Sequence, residues 1–230
     1  MFAAFSRCCA RAAVGRSQPA DTETRSPRRR VSSVSSRAEL WTIGHSNHEA
    51  GHFLGLLDQY GIEVVADVRS QPYAKYAEHF SQAPLKRLLA DAGVAYVFLG
   101  RELGGRPSEP ELYDDAGHVL YGEVARSKRF SEGLERLLHG AETHRVAMLC
   151  SEEDPTLCHR RLLITRALLD TETPPTIEHI RGDGRLVSEL ELGRADSLAG
   201  EQLALFGATT TWKSAQSVSQ NTARRVSSSS

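Results

Sequence analysis

The chain has 230 residues, 40% of them hydrophobic and 25% charged, which suffices for one domain with a sizeable core plus tails. Its formal charge of -1 hides an asymmetry: residues 1–37 carry eight arginines against Asp21 and Glu23, which leaves 20 basic and 27 acidic residues, about -7, for the rest. That acidic remainder argues against a broad nucleic-acid-binding surface, though not against a local basic groove, and no apolar run approaches the roughly 20 residues that span a bilayer.

Residues 1–38 are rich in Arg, Ser and Ala and lack a sustained apolar period. They read either as an organellar transit peptide or as a disordered extension, and disorder is favoured because nothing else in the chain calls for an organelle. Residues 39–190 carry the regular pattern. Strands are expected at 40–43, 63–68, 95–99, 145–149 and 176–180, each a short apolar run bounded by turn residues. Helices are expected at 49–60, with Phe53, Leu56, Leu57 and Tyr60 on one face, at 82–92, near 120–139, and after Cys158. The glycine-rich loop from 100 to 117 is long for a compact domain, which points to function. Residues 191–230 turn polar, a mostly disordered tail with one apolar island at 203–206. Strands alternating with helices predict an α/β class fold: a Rossmann-like three-layer domain with a mostly parallel sheet and helices on both faces.

The richest chemistry lies in Cys150-Ser-Glu152-Glu-Asp154-Pro155-Thr-Leu-Cys158-His159-Arg160, where a strand runs into a helix. Asp154-Pro155 reads as an N-cap followed by proline at the first helical position. That places Cys158, His159 and Arg160 around the first helical turn, where free N–H groups and the helix dipole favour anions and thiolates. Open α/β sheets bind ligands at this edge, the carboxyl ends of their strands. His45 and Ser46 follow the first strand, either as ligand or proton-transfer groups or as caps of the next helix. Asp67 and Arg69 end the second strand, either as a base and an anion clamp or as an ion pair holding loops. Gly104 and Gly105 supply a turn near the ligand or merely a turn.

Taken together, Thr42-Ile-Gly-His45-Ser46, Asp67-Val-Arg69, Leu103-Gly104-Gly105 and Cys150-x-Glu152…Cys158-His159-Arg160 resemble the domain-of-unknown-function family 488 in order and spacing, over roughly residues 41–182. The resemblance implies a compact α/β domain and implies no reaction. In that family a hydroxyl residue and then Arg usually follow the proline after Asp-Val-Arg. Here Pro72 precedes Tyr73-Ala74-Lys75, so no role for a second basic residue is carried over.

Among the four cysteines, Cys8, Cys9, Cys150 and Cys158, only two fall in the domain, which fits a reducing, cytoplasmic setting better than a disulfide scaffold. Seven residues separate Cys150 from Cys158, against two to four in paired zinc thiolates, so no metal is assigned; a set drawing on Cys150, Cys158 and His45 or His159 is the minority alternative. A nucleophilic or redox thiol, or plain buried cysteine, are the other readings. No dinucleotide fingerprint or P-loop occurs, and the cofactor stays unknown.

Two function classes follow. In the first, the chain is an enzyme on an anionic substrate, nucleotide or nucleic acid, with Asp67, Glu152, Cys158 and His45 catalytic, and Arg69, Ser46, Gly104, Gly105, Cys150, His159 and Arg160 binding. In the second it is a non-catalytic binding module. Gln202, Leu203, Leu205 and Phe206 resemble the peptide by which bacterial proteins dock on the DNA-polymerase sliding clamp, which would recruit the module. No membrane partner is expected.

Overall fold

A computed structural model describes residues 38–204 and 212–217. Five strands occur where the apolar runs predict them: β1 (Glu39–Gly44), β2 (Val64–Asp67), β3 (Ala95–Phe98), β4 (Val146–Cys150) and β5 (Thr176–Ile180). A sixth, β6 (Leu186–Ser188), pairs antiparallel with β5 and was not anticipated. The sheet order is β3-β2-β4-β1-β5-β6, and every other pairing is parallel.

Side chains alternate across a strand, and here the alternation feeds two cores. Leu40, Val146, Met148 and Ile177 point into one layer with Phe130, Leu137, Leu163 and Leu168. Trp41, Ile43, Ala147, Leu149 and Ile180 point into the other with Phe53, Leu57, Leu85 and Leu89. Both faces of the sheet are therefore covered, by α1 (Ala50–Gln59) and α2 (Gln82–Asp91) on one side, and on the other by α5 (Lys128–Ala141) with the segment after Cys158. The domain is a three-layer α/β structure.

The loop after β3 holds a short helix, α3 (Gly100–Leu103), and a 3-10 turn at Pro110–Leu112. The single helix expected near 120–139 is two, α4 (Tyr121–Ala125) and α5, because the Ser127 side chain accepts from the Phe130 N–H and starts a new helix. After Cys158 the chain forms a π-helical turn, Arg160–Thr165, that continues into α6 (Arg166–Leu169). The Thr165 hydroxyl donates to the Arg160 carbonyl five residues back, at 3.0 Å.

Helix α7 (Glu189–Ala204) runs past residue 190, where the sequence pattern placed the start of a polar tail. Its first residue is tied to the sheet: Glu189 accepts from Arg161 Nε at 2.9 Å and from buried His179 Nε2 at 2.8 Å. Gln202 and Leu203 lie within this helix. Leu205 and Phe206 of the apolar island lie outside the described residues, as do residues 1–37.

The chain is also ordered at Trp212–Ser217. The Trp212 indole donates to Leu162 O at 2.6 Å, with the Arg166 guanidinium 4.6 Å from its ring. Ser214 N donates to Val119 O at 2.9 Å, and Val119 N returns a bond to Ser214 Oγ at 3.0 Å. Among the described residues, no helix is long and apolar enough to cross a membrane.

Candidate functional site

Parallel pairing of β2, β4 and β1 puts their carboxyl ends side by side, with Gly44 opposite Cys150 and Asp67 opposite Leu149. Two backbone bonds prolong the β1–β4 pairing into the loops, from His45 N to Cys150 O at 3.0 Å and from Ser46 N to Ser151 O at 2.8 Å. Gly44 is required there, because a Cβ on it would stand 1.8 Å from Glu152 O. Ser46 takes a left-handed φ of 44° and does not cap α1 with its side chain.

Asp67 and Arg69 form a fully enclosed pair. Arg69 donates to Asp67 through Nε (2.8 Å), Nη2 (2.6 Å) and its backbone N (3.1 Å), and Tyr96 Oη adds a fourth bond at 2.8 Å. The remaining guanidinium nitrogen reaches Phe80 O at 2.9 Å and His45 Nε2 at 3.0 Å. A guanidinium only donates, so His45 Nε2 must accept, and its Nδ1–H then donates to Ser46 O at 2.7 Å. Burial and the Arg69 charge lower the His45 pKa to about 4, keeping the ring neutral. The geometry is that of a buried ion pair, with the Arg69 guanidinium directed at Asp67, Phe80 O and His45.

Arg160 also bonds to protein acceptors. Its side chain is wholly buried and donates to Thr42 Oγ1 at 3.2 Å and to the carbonyls of Glu152 and Glu153, so it organises the loop after β4.

That loop gathers four reactive side chains. Asp154 accepts from Thr156 N at 2.9 Å as predicted, but the turn it starts is 3-10 and stops at Leu157. Cys158 is therefore extended (φ -108°, ψ 141°) and precedes the π-helical turn, its carbonyl accepting from Arg161 N and Leu162 N. The thiol meets Cys150 and Glu152: Glu152 Oε2 lies 2.8 Å from Cys150 Sγ and 3.2 Å from Cys158 Sγ. His159 Nδ1 lies 3.5 Å from Cys150 Sγ and 3.9 Å from Cys158 Sγ. His159 Nε2–H donates to Val68 O at 3.0 Å, which aims Nδ1 at the thiols, as an N–H toward a Cys158 thiolate or, once that proton is lost, as a lone pair.

Burial, then the Cys158 and Glu152 neighbours, push the Cys150 thiol well up. Burial also opposes ionisation of Cys158, but hydrogen bonds from Cys150 and His159 and the charges of His159 and Arg160 bring its thiol well down. His159 is raised: burial works against its charge, and the bond and charge of Cys158 outweigh it.

The cluster opens into a cleft of about 240 Å³ walled by Cys150, Glu152, His159, Gly105, Arg69 and Arg106, with Tyr73 and Tyr121 beside them and Ser214–Gln216 across the mouth. Arg106 is exposed.

Residues 49–167, just over half the chain, match the family described as Domain of unknown function DUF488. The chain belongs to this family. No curated protein and no solved structure matches it. The matched DUF488 region includes the Asp67–Arg69 pair, Gly104–Gly105 and the loop from Cys150 to Arg160, and leaves out His45 and Ser46.

The structure thus brings Cys150, Glu152, Cys158, His159 and Gly105 of this DUF488 domain together. His45 touches Arg69 from beneath, without lining the cleft. Gly104 is held against Ser70, its Cβ position 2.4 Å from Ser70 Oγ. Sequence reasoning missed Arg106, Tyr121 and Ser214–Gln216. Trp212, an isolated aromatic in a polar tail, was the one available signal that the chain returns.

Proposed function

We propose that the chain is an enzyme that acts on an anionic substrate of the nucleotide or nucleic-acid class, bound in the cleft at the ends of β2 and β4. The observation that carries this reading is that an exposed Arg106 and the reactive group Cys150, Glu152 and His159 line one small cleft. Arg106 supplies a guanidinium for phosphate, and Tyr73, 70% exposed on the rim, offers a face on which a base can stack. Glu152 carries the proton, and Asp67, Arg69 and Arg160 hold the loops that present the cluster. Binding of a nucleotide and oligonucleotide series by calorimetry tests it: a ligand should bind the wild type and lose at least tenfold in affinity, about 1.4 kcal/mol, with Arg106→Ala. A series in which nothing binds, or in which Arg106→Ala changes nothing, would overturn the reading.

Recruitment through the tail is a second, separate element, supported by the apolar residues Leu203, Leu205 and Phe206 in an otherwise polar stretch. A peptide of residues 200–207 should bind a bacterial sliding clamp, and the same peptide with Leu205→Ala and Phe206→Ala should not. Equal binding by both peptides sinks the recruitment.

A further inference from the structure

The geometry points to a zinc site in this cleft, with Cys150, Cys158 and His159 as permanent ligands and Glu152 as the exchangeable fourth. This deepens the reading just given, for it says what makes the cluster reactive. Several observations converge. The donor atoms of Cys150, Glu152, Cys158 and His159 all lie within 4.8 Å of one another. A tetrahedral zinc with ordinary Zn–S and Zn–N bonds has S···N edges of about 3.6 Å. His159 Nδ1 stands 3.5 and 3.9 Å from the two sulfurs, which brackets that spacing.

The second-sphere contact is the one metal-bound imidazoles use. His159 donates its other ring nitrogen to a backbone carbonyl, Val68 O, which fixes the tautomer and aims the Nδ1 lone pair at the thiols. Gly105 closes on the ring from the other side, so the imidazole cannot swing away. The ligand set of two thiolates and an imidazole selects zinc over magnesium or calcium, which prefer oxygen donors.

Glu152 differs from the other three. It is exposed while the cysteines are buried, and its oxygen sits at hydrogen-bond distance from both thiols, closer than a tetrahedral edge. On zinc binding the Cys150 proton and the one held by the Cys158–His159 pair leave to solvent, and the carboxylate moves outward to the fourth corner. From there a cleft ligand or water displaces it, and Glu152 is left beside that position as a proton acceptor. Three protein ligands plus one open position is the arrangement of catalytic zinc, as against closed structural sites.

The test uses the full chain, reduced and stripped with a chelator. Titration with cobalt(II) should give one equivalent per chain, with a near-ultraviolet thiolate-to-cobalt charge-transfer band and tetrahedral visible bands; zinc should bleach them. Cys150→Ser or Cys158→Ser should abolish the charge-transfer signature, whereas a Cys8→Ser, Cys9→Ser double substitution should leave it intact. X-ray absorption of the zinc-loaded wild type gives a measurement independent of any variant's folding, with two sulfur and two nitrogen or oxygen neighbours expected. Substoichiometric binding, or a signature that follows Cys8 and Cys9, overturns the site. Absence of metal with nucleotide binding retained removes this inference alone. Bound zinc with no cleft ligand removes the proposed function and leaves the metal centre.

Discussion

Gly105 packs directly against the imidazole of His159: a Cβ on Gly105 would lie 2.5 Å from His159 Cγ and 2.7 Å from its Cβ. The glycine pair that the sequence offers only as a turn is thus half of a contact that sets the ring's position. Gly105→Ala should force the ring or the loop to shift, at a cost of about 1–3 kcal/mol, the usual range for added volume in a packed site. Urea unfolding measures the loss, and an unchanged midpoint would mean that the loop yields freely and does not hold His159.

The enclosed Asp67–Arg69 pair leads to a second expectation. Asp67 has no exposed surface and takes four hydrogen bonds, three from Arg69 and one from Tyr96. Asp67→Asn leaves the Arg69 charge buried without its counter-ion, and removing one partner of such a pair costs about 3–5 kcal/mol. Denaturant unfolding should show that loss. A difference under about 1 kcal/mol would place the pair in contact with water and contradict the geometry.

A third expectation concerns pH. The His45 pKa falls from 6.5 in the unfolded chain to about 4 in the fold, so the folded state binds the proton less well. Its contribution to stability is complete above about pH 6.5, declines as pH falls toward 4 and levels off below that. The full loss is about 3 kcal/mol, from the linkage of a shift of this size. His45→Gln keeps an acceptor for Arg69 but cannot titrate. Chelator-treated wild type should lose stability between pH 6.5 and 4 more steeply than chelator-treated His45→Gln, and parallel profiles would assign the acid sensitivity to other groups.

How much of this could be read beforehand follows from where the determining contacts lie. The five parallel strands were legible as short apolar runs between polar turns; a central strand such as Val146–Cys150 is buried on both faces, whereas the edge strand Ala95–Phe98 is only partly covered. The break between α4 and α5 was not read, although Arg126-Ser127-Lys128-Arg129 interrupts the apolar pattern there and the Ser127 side chain caps the new helix. The π-helical turn after Cys158 is silent, because it shows as a Thr165 bond to Arg160 O and not as a residue pattern. At the site, the sequence placed Cys150, Glu152, Cys158 and His159 in one segment after a strand, and the fold brings their side chains together. The sequence could not say that Arg69 and Arg160 face protein acceptors, because a charged residue at a strand end looks the same whether its partner is a ligand or a carbonyl. Arg106 and Ser214–Gln216 reach the cleft only through tertiary folding, with no local spacing to announce them.

The returning segment gives the last expectation. Trp212 is half-buried, donates its indole N–H to Leu162 O, the carbonyl of a residue in the π-helical turn behind Cys158, and lies under the Arg166 guanidinium. Its anchoring holds Ser214 in a reciprocal pair of bonds with Val119, and through Ser214 it positions one wall of the cleft. Trp212→Ala should therefore act twice. Stability should fall by about 2 kcal/mol, below the 3–5 kcal/mol of a fully buried tryptophan because this one is only partly buried. Residues 212–217 should also become accessible to limited proteolysis while the sheet stays protected, since none of the six strands takes its hydrogen bonds from this segment. Trp212→Phe separates the two contributions: it keeps most of the apolar contact and loses the bond to Leu162 O, so its stability should fall between those of the wild type and Trp212→Ala. Proteolysis of the wild type at residues 212–217 as fast as in Trp212→Ala would show that the segment does not stay on the domain in solution.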